Sequence, residues 1–211
     1  RGGGAEKVTV NLCNELVNYL QIEIVVMNDN GVMQKNLNDK IKIYNCKIKK
    51  LRSFFFIIPK IIKTSKPDYI LGQMWPLTSI LIIAKYLFFL KGKFFICEHI
   101  NIIQSIKNET RFSYILSFPI IFLSHNLCDK LIVVSKGVKN QFTSYFKINS
   151  SKIKVIYNPV IDKKFKNFKV TDHKIWNKKT EIKMLSIGRL KKQKNYNYLI
   201  NSLSLIKNIN Y

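Results

Sequence analysis

Acidic residues are scarce in this chain: 12 Asp and Glu stand against 36 Lys and Arg, a formal net charge of +24. With so few carboxylates, no acidic metal cluster can be read from the sequence. The surplus instead predicts attraction to something anionic, whether nucleic acid, an acidic membrane leaflet or a phosphorylated substrate. A Lys-, Asn- and Ile-rich genome would produce much of the same bias. Cysteine is scarce too. Cys13, Cys46, Cys97 and Cys128 lie far apart, with no C-x-x-C pair and no Cys/His spacing of a zinc site. Each sits beside apolar residues, so reduced, buried thiols are expected, which suits a cytoplasmic protein. The most apolar stretch, Leu77 to Leu90, carries Lys85 in its middle. It falls short of the roughly 20 apolar residues a membrane span requires. No solenoid repeat and no nucleic-acid-binding motif is present.

Apolar material is ample, at 47% of the 211 residues, which supports a buried core. Strand-like and helix-like segments alternate. Strands are expected at Ile22 to Met27, Ile41 to Tyr44, Tyr69 to Leu71, Phe94 to Cys97, Leu131 to Val134 and Ile153 to Ile156. Helical spacing runs from Ala5 through Val8, Leu12 and Leu16 to Leu20, then over Leu51 to Ser65, Leu77 to Leu90, Thr110 to Leu127 and Val138 to Phe146. Pro59 and Pro119 should kink or restart their helices. Continuous apolar strands alternating with helices predict an α/β fold, a Rossmann-like parallel sheet with helices on both faces. The lysine-rich stretch from Asp162 to Thr180 has few apolar residues and reads as a linker. Residues 1–162 then form one domain, 163–180 the linker, and 181–211 the start of a second.

The clearest chemistry lies in Met184-Leu185-Ser186-Ile187-Gly188-Arg189-Leu190-Lys191-Lys192-Gln193-Lys194-Asn195. Leu185 and Ile187 suit the end of a short buried strand, and Gly188 permits a sharp turn and close approach of a ligand. Tyr196, Leu199, Ile200, Leu203 and Ile206 recur at helical spacing, with Asn195 as the expected N-cap. Strand, basic loop and helix together place Arg189, Lys194 and a helix N-terminus where open α/β sheets bind ligands. That combination suits diphosphate. A basic run is otherwise an ordinary solvated loop.

Two further points stand at strand ends or helix entrances. Gly2-Gly3-Gly4-Ala5-Glu6 opens the first helix, and a glycine run there leaves N–H groups accessible to a ligand. Glu98-His99 closes the strand Phe94 to Cys97. His99 could act on a hydroxyl or hydrogen-bond a sugar, and Glu98 could serve as a base or as the partner of a lysine. Ser135 and Asn158 follow two later strands, where capping and turn chemistry are their ordinary roles.

These patches together resemble family-4 glycosyltransferases of the GT-B fold. I-G-R-L-x-x-Q-K-N resembles that family's donor-phosphate loop, G-G-A-E its opening loop, and Phe-Phe-Ile-Cys-Glu-His its glutamate–histidine strand end. The segments from Asp129 to Val138 and from Lys152 to Val160 resemble its last N-terminal strands and the crossing to the second domain. The resemblance implies a nucleotide diphosphate sugar as donor, bound through Arg189, Lys194 and Gly188. It implies a catalytic or sugar-binding role for His99, with Glu98 beside it. Gly3, Gly4, Ser135 and Asn158 would border the cleft near the acceptor. It further implies a glycan or lipid-linked acceptor, as in polysaccharide or lipopolysaccharide synthesis, retention of stereochemistry, and no metal or other cofactor. A start without methionine or a first strand reads as a fragment.

The family's paired glutamates have no counterpart, because the last acidic residue is Glu181. These residues alone should therefore have little transferase activity. Lysine-flanked apolar segments at Phe54–Lys63, Leu77–Lys93 and Phe112–Leu123 suggest peripheral contact with an anionic membrane, with ordinary core helices as the alternative. A basic nucleic-acid-binding module and a sugar-nucleotide epimerase of the same two-domain plan are the rival readings.

Overall fold

The computed structural model describes residues 3–28, 31–107, 111–159, 184–188, 190 and 194–206. The chain divides into two compact units, Arg1–Val160 and Ile161–Tyr211.

The first unit is α/β, with helices on both sides of parallel strands. Helix α1 (Gly4–Leu16) leads to strands β1 (Glu23–Val26) and β2 (Lys42–Asn45), which pair parallel. Helix α2 (Phe54–Ser65), β3 (Tyr69–Gln73), α3 (Leu77–Leu87) and β4 (Lys93–Glu98) follow. Then come α4 (Ile102–Lys107), α5 (Arg111–Leu127), β5 (Lys130–Val133), α6 (Lys136–Ser144) and β6 (Ile153–Val155). Strands β3, β4, β5 and β6 form one parallel sheet in sequence order. Such an order requires a crossover between successive strands, and α3, α5 and α6 lie in these connections.

Strand extents agree with the expected ones to within two residues. The departures have physical causes. Helix α1 stops at Leu16, and a turn carries the chain to Leu20, which is exposed and has no apolar surface to hold it. Pro59 and Pro119 both lie inside uninterrupted helices. Pro59 is buried with Phe54, Ile58 and Ile62 on the core face of α2, where packing outweighs the one backbone bond that proline forfeits. Helix α4 was not expected. Its start is nonetheless written as Asn101-Ile102-Ile103-Gln104, and Asn101 Oδ1 accepts the Gln104 N–H at 3.0 Å. The expected linker, 163–180, lies outside the described residues.

One core unites the layers. Phe94, Ile96, Leu131 and Val133 of the sheet pack with Ile82 of α3, Ile121 of α5 and Phe142 of α6, all fully buried. Gly72 lets α3 approach β3 closely, since a β-carbon there would lie 2.7 Å from Leu81 Cδ2. Cys97 and Cys128 are buried, and burial pushes both thiols up to about 12. Cys13 and Cys46 are only half-buried.

Asp129 pins the entry to β4 and β5. Its Oδ2 accepts the Phe94 N–H and the Lys85 ammonium, each at 2.7 Å. Partial burial alone would raise its pKa, but these two hydrogen bonds and the positive charge of Lys85 outweigh it and hold it below the usual carboxylate range. A depressed carboxyl pKa contributes stability above its unfolded value, about 3.9, and loses it as pH falls through the folded value. Asp129→Asn should therefore be less stable than the wild type at neutral pH, and the gap should close on acidification. Urea unfolding at pH 7 and at pH 3 measures both.

Candidate functional site

Parallel register brings the strand ends level. Gln73 lies opposite Cys97, Glu98 opposite Val133, and Val133 opposite Val155. The residues that follow β3, β4, β5 and β6 therefore share one carboxyl edge. His99, Ser135 and Asn158 all fall there, as does Gln73.

Glu98 faces inward. Its side chain is 0% exposed, and its oxygens are engaged. Oε2 accepts the Trp75 N–H at 3.0 Å, while Oε1 accepts the Thr78 hydroxyl at 2.6 Å and meets His125 Nε2 at 3.1 Å. His125 is likewise 0% exposed and stacks on Phe142 with ring centroids 5.1 Å apart. Its Nδ1 meets Ser124 Oγ at 3.1 Å, which in turn meets Ser79 Oγ at 2.8 Å. A single direction of donation satisfies the chain: Ser79 to Ser124, Ser124 to His125, His125 to Glu98. A carboxyl group so enclosed cannot touch a substrate. The expectation of Glu98 as a base is corrected here, and its partners are a backbone N–H, a threonine and a histidine, not a lysine. What it does is hold the β3–α3 loop and α5 to the end of β4.

His99, one residue on, emerges at the edge and is half-buried. Its Nε2 lies 3.1 Å from Gln73 Oε1 and 3.5 Å from Cys97 Sγ. Nδ1 is buried and has no hydrogen-bond partner among the described residues. Burial lowers the His99 pKa, opposed by the nearby Glu98, which favours the neutral imidazole. One nitrogen of this imidazole is thus held at the sheet edge, and the other keeps an unpaired lone pair in an enclosed position.

Helix α1 reaches the same edge. Thr9 Oγ1 lies 2.8 Å from Gln73 Oε1 and 2.9 Å from the Ala5 carbonyl oxygen. The helix entrance lies about 7 Å further along the axis from Thr9. At that entrance the Gly3 N–H is not available to a ligand, because it donates to Glu6 Oε2 at 2.7 Å. The accessible N–H expected at this entrance is therefore not that of Gly3. Gly4 is exposed, and a β-carbon there would meet nothing within 4 Å, so its backbone remains approachable. Ser135 is the N-cap of α6, with Oγ accepting the Val138 N–H at 3.2 Å, and Asn158 is half-buried.

The second unit is described in part. Arg189 lies outside the described residues. Residues 184–188 form no strand, and Leu185 and Ile187 are exposed rather than buried. Among the described residues of this unit there is no neighbouring strand for them to pair with. Helix α7 (Tyr196–Ser204) begins after Asn195 as expected, but Asn195 adopts a left-handed backbone (φ 52°) and makes no side-chain cap bond. Gly188 and Lys194 do come together. A β-carbon at Gly188 would lie 2.8 Å from Tyr196 Oη and 3.5 Å from Lys194 Cγ. The exposed Lys194 thus lies along the turn at Gly188.

Gln73, Thr9, Trp75 and His125 were not singled out in the sequence. A strand read only to Leu71 puts Gln73 in a loop, whereas β3 runs to Gln73, and an apolar helical run conceals His125. Trp75 Nε1 is a second buried polar atom with no partner among the described residues. No group of three His, Cys, Asp or Glu among the described residues could hold a metal ion.

The sequence profile of Glycosyltransferase Family 4 matches residues 2–164. No curated protein matches the chain. Among solved structures, the apo form of the lipopolysaccharide outer core galactosyltransferase WaaB is similar, with a TM-score of 0.55 and 17% identity over 75% of this chain and 43% of that one. Alr3699/HepE of Anabaena in complex with UDP gives a TM-score of 0.53 at 16% identity, over 75% of this chain and 41% of that one. A glycosyltransferase from Rickettsia africae gives 0.50 at 19%, over 74% and 40%. The chain therefore spans about two fifths of the length of these proteins, and the shared architecture is GT-B.

Loss of Glu98 tests the buried network. Glu98→Ala would strand Trp75 N–H, Thr78 and His125, each stranded group costing about 1–3 kcal/mol. A destabilisation of roughly 3 kcal/mol or more is expected in urea unfolding.

Proposed function

We propose that this chain, which belongs to Glycosyltransferase Family 4, provides the acceptor side of an enzyme that transfers a sugar from a nucleotide diphosphate sugar to a glycan or lipid-linked acceptor. The carrying observation is the family match over residues 2–164 on a sheet whose carboxyl edge carries the half-buried His99. The donor class is supported by the structures of HepE with UDP and with UDP and glucose. A role in lipopolysaccharide or other cell-surface polysaccharide synthesis is supported by the likeness to WaaB.

In this reading the acceptor hydroxyl meets the half-buried His99 imidazole at the carboxyl edge. Gly4, Ser135 and Asn158 border its approach, while Glu98 acts from within by holding the strand end. Arg189, Lys194 and the turn at Gly188 take the donor diphosphate. Fixed cations aimed at the leaving diphosphate would stabilise its growing charge without a metal, and such preorganised groups usually supply the largest catalytic term. Transfer with retention follows the family resemblance.

The three lysine-flanked segments contribute core, through Phe54 and Ile58, Ile82, and Ile121 respectively, as well as surface. Phe56 of α2, Phe89 after α3, and Leu116 and Leu123 of α5 are exposed, and they support peripheral contact with the cytoplasmic face of an anionic membrane. No helix of the described residues is long and apolar enough to cross one.

The test uses the protein in a form spanning both domains, with a panel of UDP- and other nucleotide sugars. His99→Ala is expected to lower kcat by about 100-fold or more. Arg189→Ala and Lys194→Ala should weaken donor binding and turnover together. Undiminished turnover in all three variants would remove this mechanism. Salt-dependent binding of random DNA with no nucleotide-sugar binding would favour the nucleic-acid reading, and conversion of donor without acceptor would favour an epimerase.

A further inference from the structure

The two nitrogens of His99 are treated differently by the fold. Nε2 faces two lone-pair-bearing atoms, the Gln73 carbonyl oxygen and the Cys97 sulfur. The Cys97 thiol stays protonated at neutral pH, because burial and the neighbouring Glu98 raise its pKa to about 12. Its S–H is only a weak, rotatable donor, and at 3.5 Å it does not outweigh the Gln73 oxygen at 3.1 Å. Nδ1 faces no partner among the described residues. A proton on Nδ1 would be a stranded donor and would leave the Gln73 oxygen without its imidazole partner. A proton on Nε2 satisfies Gln73 and leaves only a lone pair unpaired.

Gln73 is itself anchored. It is the last residue of β3, with its backbone in register opposite Cys97. Its oxygen also meets the Thr9 hydroxyl of α1 at 2.8 Å. Three elements, α1, β3 and β4, therefore converge on one amide. Glu98, the charged group next to His99 on β4, is turned into the interior and bonded to Trp75, Thr78 and His125.

We propose that Gln73, steadied by Thr9, is a positioning residue that locks His99 as the Nε2–H tautomer, leaving the unpaired lone pair on the enclosed Nδ1 and fixing the orientation of the ring at the sheet edge. The catalytic consequence rests on the transferase reading above, whereas the tautomer does not. Gln73 orients and polarises the imidazole through its one hydrogen bond, as a backbone carbonyl or carboxylate does for other functional histidines.

Nitrogen NMR on the chain with ¹⁵N-labelled histidine reads the tautomer directly. The wild type should show Nε2 protonated and Nδ1 bare. Gln73→Leu should turn this into a mixture of tautomers, and Thr9→Val should move it the same way by less. Gln73→Glu, nearly isosteric, should raise the His99 titration midpoint by about one to three units, because its carboxylate would stabilise the imidazolium. In the form spanning both domains, Gln73→Leu should lower kcat about tenfold or more with little change in KM for the donor. A wild type protonated on Nδ1 overturns the proposal, and this needs no variant to fold. So does Gln73→Leu with a native backbone spectrum and unchanged tautomer populations. Turnover that survives His99→Ala would instead remove the transferase role of His99, and the nitrogen spectra would still decide the tautomer.

Discussion

The carboxyl group of Glu98 ties four elements of the first unit together at one point. It closes β4, takes the Trp75 N–H of the β3–α3 loop and the Thr78 hydroxyl of α3, and meets His125 of α5. A fully buried polar group is costly unless every bond is made, and here they are made. That requirement makes the arrangement selective: a shift of α5 or of the loop by one residue would leave several buried groups unpaired. The same anchoring determines where the next residue, His99, leaves the sheet.

From that anchor the edge is assembled by register. Parallel strands of similar extent end at the same level, so residues distant in sequence meet on one side. Gln73 and His99 meet there, and α1 joins them through Thr9. The result is one imidazole with a held nitrogen and an unpaired one. Ser135 and Asn158 share the edge, but Ser135 is committed to capping α6. The glycines at the start of α1 divide similarly, since Gly3 is occupied by Glu6 and Gly4 is open.

The charge of +24 bears on partners and not on fold. It is compatible with a phosphorylated donor and with an anionic surface. The family match and the GT-B architecture concern the first unit above all, where the sheet is built. In the second unit, Lys194 lying along Gly188 is the described part of the basic loop.

Periodicity alone determined the alternation of strands and helices, because a strand buried on both faces must be apolar throughout and an amphipathic helix must repeat every three or four residues. The Glu-His strand end was legible as well, since it is a local pattern. The direction in which Glu98 and His99 point was not, because it depends on which groups of α3, α5 and β3 come within hydrogen-bonding distance. The sequence contains no sign that a glutamine at position 73 would meet a threonine at position 9. Nor does it say that prolines 59 and 119 would be absorbed into helices, since that is settled by the core surface each helix covers. Local spacing writes the elements; only their packing decides which buried polar atoms are paired and which are left without a partner.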